Sequence, residues 1–142
     1  VSAAGVDDAV NRVLDRLFIG DSSDLDGSTP LRSLGFIAVL DLRDGKVFKS
    51  DGIDTLHLDN RDGDPWSKED VGTAMQFLLD RIRTGCVLVA CAAGMSRSAS
   101  MVIGYLVRVG WDFPSAFAHL KVVRPEIAPV QKMFDSVRAV VG

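Results

Sequence analysis

The stretch Val87-Leu-Val-Ala-Cys-Ala-Ala-Gly-Met-Ser-Arg-Ser98 constrains the fold more than any other part of this chain. It opens in a strand, Cys86–Ala90, whose residues are all apolar. A continuous run of this kind has no polar face to turn to water, so the strand is covered on both sides. From Ser98 to Val109 the sequence is helical and apolar nearly all round, which makes that helix central as well. A buried strand that feeds a buried helix through one short loop implies α/β layering.

The loop runs from Cys91 to Arg97, with five residues between the two. Backbone N–H groups in a loop entering a helix can turn inward, and the positive end of the helix reinforces them. Ala92, Ala93, Gly94, Met95, Ser96 and Arg97 are therefore the expected phosphate-binding residues. Gly94 tolerates a backbone conformation that other residues resist. Arg97 supplies a planar fork that can hold two phosphate oxygens at once. Cys91 lies at the bottom of the same positive field, which favours its nucleophilic thiolate form. A thiolate facing a clamped phosphate is arranged for in-line attack and a phosphocysteine intermediate. Arg97 and backbone donors take the place of a metal, so no cofactor and no metal are expected; His57 and His119 show no ligand spacing.

Elsewhere strand-like and helix-like segments alternate. Further strands are expected at Arg16–Gly20, Phe36–Leu42 and Thr55–Leu58. Thr29-Pro30 reads as a helix cap followed by a first-turn proline, with Gly35 ending that short helix. Ser67 to Thr84 is a helix with Val71, Ala74, Met75, Leu78, Leu79 and Ile82 on one face, capped by Ser67 and stopped by Gly85. Phe113–Val123 is another, and Pro129 starts a last one with Val130, Met133, Phe134, Val137 and Val141 on its face. The expectation is one α/β domain over residues 1–142: a compact, central four- to five-stranded, mostly parallel sheet with helices on both sides.

The 142 residues suffice for a real core without disulfide staples. A net charge of -3 and the lack of a basic run argue against nucleic acid. No stretch approaches the roughly 18 apolar residues of a membrane span, and Val1 to Asp8 lacks the pattern of a signal peptide. Cys86 and Cys91 lie on one strand about 16 Å apart, too far for a disulfide. A cytoplasmic monomer is expected.

The Cys-x5-Arg spacing alone is a weak pattern. Cys91-Ala-Ala-Gly-Met-Ser-Arg-Ser98 carries more, and it resembles the signature loop of the protein tyrosine and dual-specificity phosphatases. Met101-Val-Ile-Gly-Tyr-Leu106 is similar to that family's central helix, and Val123-Arg-Pro-Glu-Ile-Ala-Pro129 to its Arg-Pro segment. Arg16-Leu-Phe-Ile-Gly20 and Ile37-Ala-Val-Leu-Asp-Leu42 look like its first strands, so the likeness runs from about residue 13 to 138. It implies hydrolysis of phosphotyrosine, with phosphoserine and phosphothreonine also open, on phosphoprotein substrates. It gives Cys91, Arg97 and Ser98 catalytic roles, the Ser98 hydroxyl helping Cys91 to leave. Two positions depart from the family pattern: Ala90 stands where a histidine is usual, and Val130 where asparagine is common.

A leaving alkoxide needs a proton, and the resemblance puts the acid in Asp59-Asn-Arg-Asp-Gly-Asp-Pro65. Asp62 is preferred over Asp59 because Asp62-Gly63 followed by Pro65 looks like a turn of compact members. Three other functions stay open: a phosphatase of lipid, glucan or RNA phosphomonoesters; a rhodanese-type sulfurtransferase; and a phosphoprotein-binding pseudophosphatase. The neutral side chains of Ala92, Ala93 and Met95 disfavour a polyanionic head group.

Overall fold

A computed structural model describes residues 10–93 and 95–142. Its elements, in chain order, are β1 (Asn11–Leu14), β2 (Leu17–Gly20), β3 (Phe36–Asp41), β4 (Asp54–His57), α1 (Lys68–Ile82), β5 (Cys86–Ala90), α2 (Arg97–Arg108), α3 (Phe113–Val123) and α4 (Gln131–Val141). The five strands form one sheet in the order β1-β2-β5-β3-β4. β5 is central and parallel to both neighbours, β3 and β4 are parallel, and only β1 runs antiparallel, against β2.

Alternation along the strands divides the interior into two cores. Val87, Val89 and Cys91 join the larger one, with Leu17, Ile19, Ala38 and Leu40 and the buried faces of all four α-helices. Cys86, Leu88 and Ala90 join the smaller one, with Val10, Phe18, Leu25, Leu31, Val39 and Ile53. That second core contains no α-helical residue among those described. The α-helices therefore lie on one face of the sheet. The other is closed by a wide π-helical turn, Asp24–Ser28, and by the loops around it. The expected fold class holds, but not the expectation of helices on both sides.

The helix expected after Thr29-Pro30 is a single turn. The N–H groups of Phe36 and Gly35 bond back to Leu31 and Arg32 carbonyls at 3.1 Å each, and Gly35 has φ 96°. That is a complete helix-ending motif with almost no helix before it. The Thr29 hydroxyl is not a cap; it donates to buried Asp24 at 2.7 Å. β1 was not anticipated: four residues at a sheet edge are too few for an alternation signal.

The helix ends follow the sequence more closely. Ser67 caps α1, accepting the Asp70 N–H at 3.1 Å. Gly110, with φ 114°, closes α2. Gly85 follows the end of α1 but is needed for space: a Cβ there would meet the Ile37 side chain at 2.8 Å. Val130 is the N-cap of α4 and is exposed, not part of its buried face. No described helix is long and apolar enough to cross a membrane.

Gly104 lets α2 approach α4, since a Cβ there would run into Val137 Cγ1. Gly104→Ala is expected to destabilise the fold by about 1–3 kcal/mol, measured by denaturant unfolding. Combined with Val137→Ala, the loss should be smaller than the sum of the two single losses.

Candidate active site

Cys91 is the first residue beyond β5 and Arg97 the first residue of α2, so strand and helix ends fix both. The residues between them are tied down by their carbonyl groups. Ala92 O accepts from Ser22 N at 3.2 Å, and Met95 O from Ala128 N at 2.8 Å. Ala93 O accepts from Arg124 Nη2 at 3.5 Å. Ser96 O accepts from both the Ser100 N–H and its hydroxyl, at 2.9 and 2.8 Å. Each of these bonds pulls a carbonyl outward, to β2, the α3–α4 connection or α2. In a planar trans peptide the next N–H points the opposite way. The loop thereby aims N–H groups, including those of Ala93 and Ser96, toward its own interior. Gly94 lies outside the described residues.

Cys91 is 2% exposed, and its Sγ lies 3.2 Å from the hydroxyl of fully buried Ser98. Ser98 is the second residue of α2, not its cap; Ser96 takes the N-cap position. The Ser96 hydroxyl accepts from Val130 N and donates to Met133 Sδ, both at 3.2 Å, which joins the loop to α4.

Arg97 is 3% exposed. Its Nη1 donates to Asp44 Oδ1 at 3.0 Å and to the Asn60 carbonyl at 2.8 Å. Its Nε is buried without an acceptor. A buried N–H left unpaired costs free energy, so Nε is a donor awaiting a partner. The Arg97 guanidinium, through this hydrogen bond, holds the Asp44 carboxyl below the usual carboxylate range. Arg124, from the Arg-Pro segment noted in the sequence, and Asp44, for which the sequence showed no motif, both carry positioning contacts.

Of the three acids after β4, Asp59 and Asp64 line one cavity and Asp62 does not. A cavity of about 460 Å³ beside the Arg97 partners is lined by Asp44, Gly45, Asp59, Asn60, Arg61 and Asp64. Asp59 lines it, next in the chain to the carbonyl that Arg97 grips. Asp62, exposed like Asp59, does not line it. It sits in the turn closed by Asp64 N to Arg61 O at 3.1 Å, with Gly63 at φ 94°. Asp62-Gly63 thus serves the turn itself.

The family model described as the dual specificity phosphatase catalytic domain matches residues 17–140. A probable dual specificity protein phosphatase of Dictyostelium discoideum is 31% identical over 122 residues, 82% of this chain and 56% of that protein. The match spans only 7% of human dual specificity protein phosphatase 16 and 56% of the Dictyostelium protein. Human tyrosine phosphatase-like serine/threonine/tyrosine-interacting protein superposes with a TM-score of 0.82 at 24% identity, covering 92% of this chain and 94% of the other. PTPMT1 in complex with PI(5)P gives 0.76 at 20% identity, covering 93% and 94%. At these identities the two structures bear on the fold alone.

Lysine in place of Arg97 keeps the charge but loses the fork. Arg97→Lys is expected to weaken tungstate binding, read by calorimetry, by about tenfold or more, since charge-assisted hydrogen bonds contribute about 1.5–3 kcal/mol each.

Proposed function

The chain belongs to the dual specificity phosphatase catalytic-domain family, and from that premise we propose that it hydrolyses phosphotyrosine, and phosphoserine or phosphothreonine, on protein substrates. The observation that carries this reading is the placement of a cysteine and a buried arginine at the two ends of one loop. Cys91 Sγ lies against the Ser98 hydroxyl at 3.2 Å, and Arg97 Nε is buried without an acceptor.

In the first step Cys91 Sγ attacks phosphorus in line, and the ester P–O bond breaks. The Arg97 fork and the inward N–H groups of the loop hold the phosphoryl oxygens as charge develops on them. The departing oxygen takes a proton from an acid, which we assign to Asp59 because it lines the cavity directly before Asn60, whose carbonyl Arg97 grips. In the second step the Asp59 carboxylate takes a proton from water, and that water attacks the phosphocysteine. Cys91 departs as thiolate, receiving a hydrogen bond from Ser98 Oγ, and inorganic phosphate is released.

Protein substrates are preferred over a polyphosphorylated head group because Ala92, Ala93 and Met95 give the loop no charged side chain to meet a further phosphate. A phosphopeptide panel beside a phosphoinositide panel tests the point, and faster turnover of the inositides would reverse it. Position 90 does not enter the scheme: Ala90 faces the smaller core, on the opposite side of β5 from Cys91.

Cys91→Ser is expected to abolish turnover of para-nitrophenyl phosphate while still binding vanadate. Turnover equal to wild type would remove Cys91 as nucleophile. Asp59→Asn is expected to slow hydrolysis of phenyl phosphate, a poor leaving group, by about 10²–10⁴-fold, and to affect a good leaving group far less. Asp62→Asn should leave both rates near wild type; the reverse pattern moves the acid to Asp62.

A further inference from the structure

Arg97 has five N–H donors in a rigid fork. Both Nη1 hydrogens are taken, one by Asp44 Oδ1 at 3.0 Å and one by the Asn60 carbonyl at 2.8 Å. The Nε hydrogen is unclaimed. In a guanidinium, Nε and Nη2 share one edge, and that edge is the one that grips two oxygens of a phosphate side by side. Nη1 stands away from it. Asp44 therefore occupies the end of the fork that a phosphate does not need.

Among the described residues Asp44 is the carboxylate within ion-pair distance of Arg97. A buried guanidinium with neutral partners alone would be strongly disfavoured in the empty site. Asp44 belongs to an irregular loop, yet the residue before it is clamped. The Asp41 carboxylate, fully buried, accepts from Arg43 N, Nε and Nη2 at 3.1, 3.0 and 3.2 Å, and from Phe48 N at 2.8 Å. Arg43 Nη1 reaches Asp26 at 2.9 Å. The Arg43 carbonyl lies 2.6 Å from His57 Nε2 on β4. The backbone that presents Asp44 is thus anchored to β3, to β4 and to the 24–28 turn.

We propose that Asp44 is a positioning residue for phosphate capture: it neutralises and orients Arg97 so that the Nε–Nη2 edge stays turned to the Cys91 loop. The inference deepens the phosphatase reading and rests on it for the identity of the anion. Asp44 acts through Arg97 and does not touch the substrate. Asn60 supplies the second anchor by its backbone, so the side chain at 44 is the adjustable part.

The test uses the full chain with Asp44→Ala and Asp44→Asn. Inorganic phosphate and vanadate binding are read by calorimetry, and para-nitrophenyl phosphate turnover by steady-state kinetics. Asp44→Ala is expected to weaken oxyanion binding and raise KM by about tenfold, with a smaller change in kcat. Asp44→Asn keeps an oxygen acceptor for Nη1 and should recover part of that loss. Thermal unfolding of both variants is recorded alongside; a purely structural role would move the melting temperature and leave KM and oxyanion affinity alone. Unchanged affinity in Asp44→Ala overturns the proposal. So does tighter binding, which would make Asp44 a competitor of phosphate. A wild-type chain that binds phosphate but turns over no phosphomonoester would sink the phosphatase reading, while weaker phosphate binding in Asp44→Ala would still sustain the role of Asp44.

Discussion

A guanidinium with 3% of its surface exposed needs partners from more than one direction, because neither the helix that carries it nor the loop before it can answer all its donors. Those partners come from loops that follow parallel strands. β3 ends at Asp41 and leads to Asp44; β4 ends at His57 and leads to Asn60; β5 ends at Ala90 and leads to Cys91. β2 ends at Gly20, and two residues later the Ser22 N–H holds the Ala92 carbonyl. Parallel strands bring their carboxyl ends to one edge of the sheet, where α/β folds place their sites. The ion pair of Arg97 with Asp44 exists because the sheet order puts β5 beside β3, although 53 residues separate the partners in the chain.

The alternation of β5 adds a second constraint. Val87, Val89 and Cys91 face the layer of α-helices; Cys86, Leu88 and Ala90 face the other core. A slip of one residue would exchange the two sets and carry the Cys91 thiol to the wrong side of the sheet. Parallel pairing on both edges holds that register, Leu17 to Val87 through Gly20 to Ala90 on one side and Val39 to Leu88 on the other. Gly104 then lets α4 close on α2, and the Ser96 hydroxyl, held between Val130 N and Met133 Sδ, ties α4 to the loop.

Where the sequence reading diverged, long-range contacts had overruled a local signal. Thr29-Pro30 carries the local signs of a helix start, but burial of Asp24 draws the Thr29 hydroxyl away from a capping role. Burial also pushes the Asp24 carboxyl up from its ordinary value. β1 has too few residues to show a period and exists because β2 offers it an edge. Asp59 carries no local mark; the proposal that it is the acid rests on its place in the cavity wall, directly before Asn60, whose carbonyl Arg97 grips.

By itself the sequence determined the strand–loop–helix unit with Cys91 and Arg97 at its ends, the strands β2, β3 and β5, and the span of α3. These follow from apolar runs, periodicity and capping chemistry, which act between residues close in the chain. Tertiary structure decided which way the loop carbonyls point, which acidic residues line the cavity beside the Arg97 partners, which face of the sheet the helices cover, and which carboxylate meets Arg97. Each of those depends on a contact between segments tens of residues apart, such as Ser22 with Ala92 or Asp44 with Arg97. No local pattern encodes such a contact, because its energy appears only when the parallel strands have brought the two segments to the same edge.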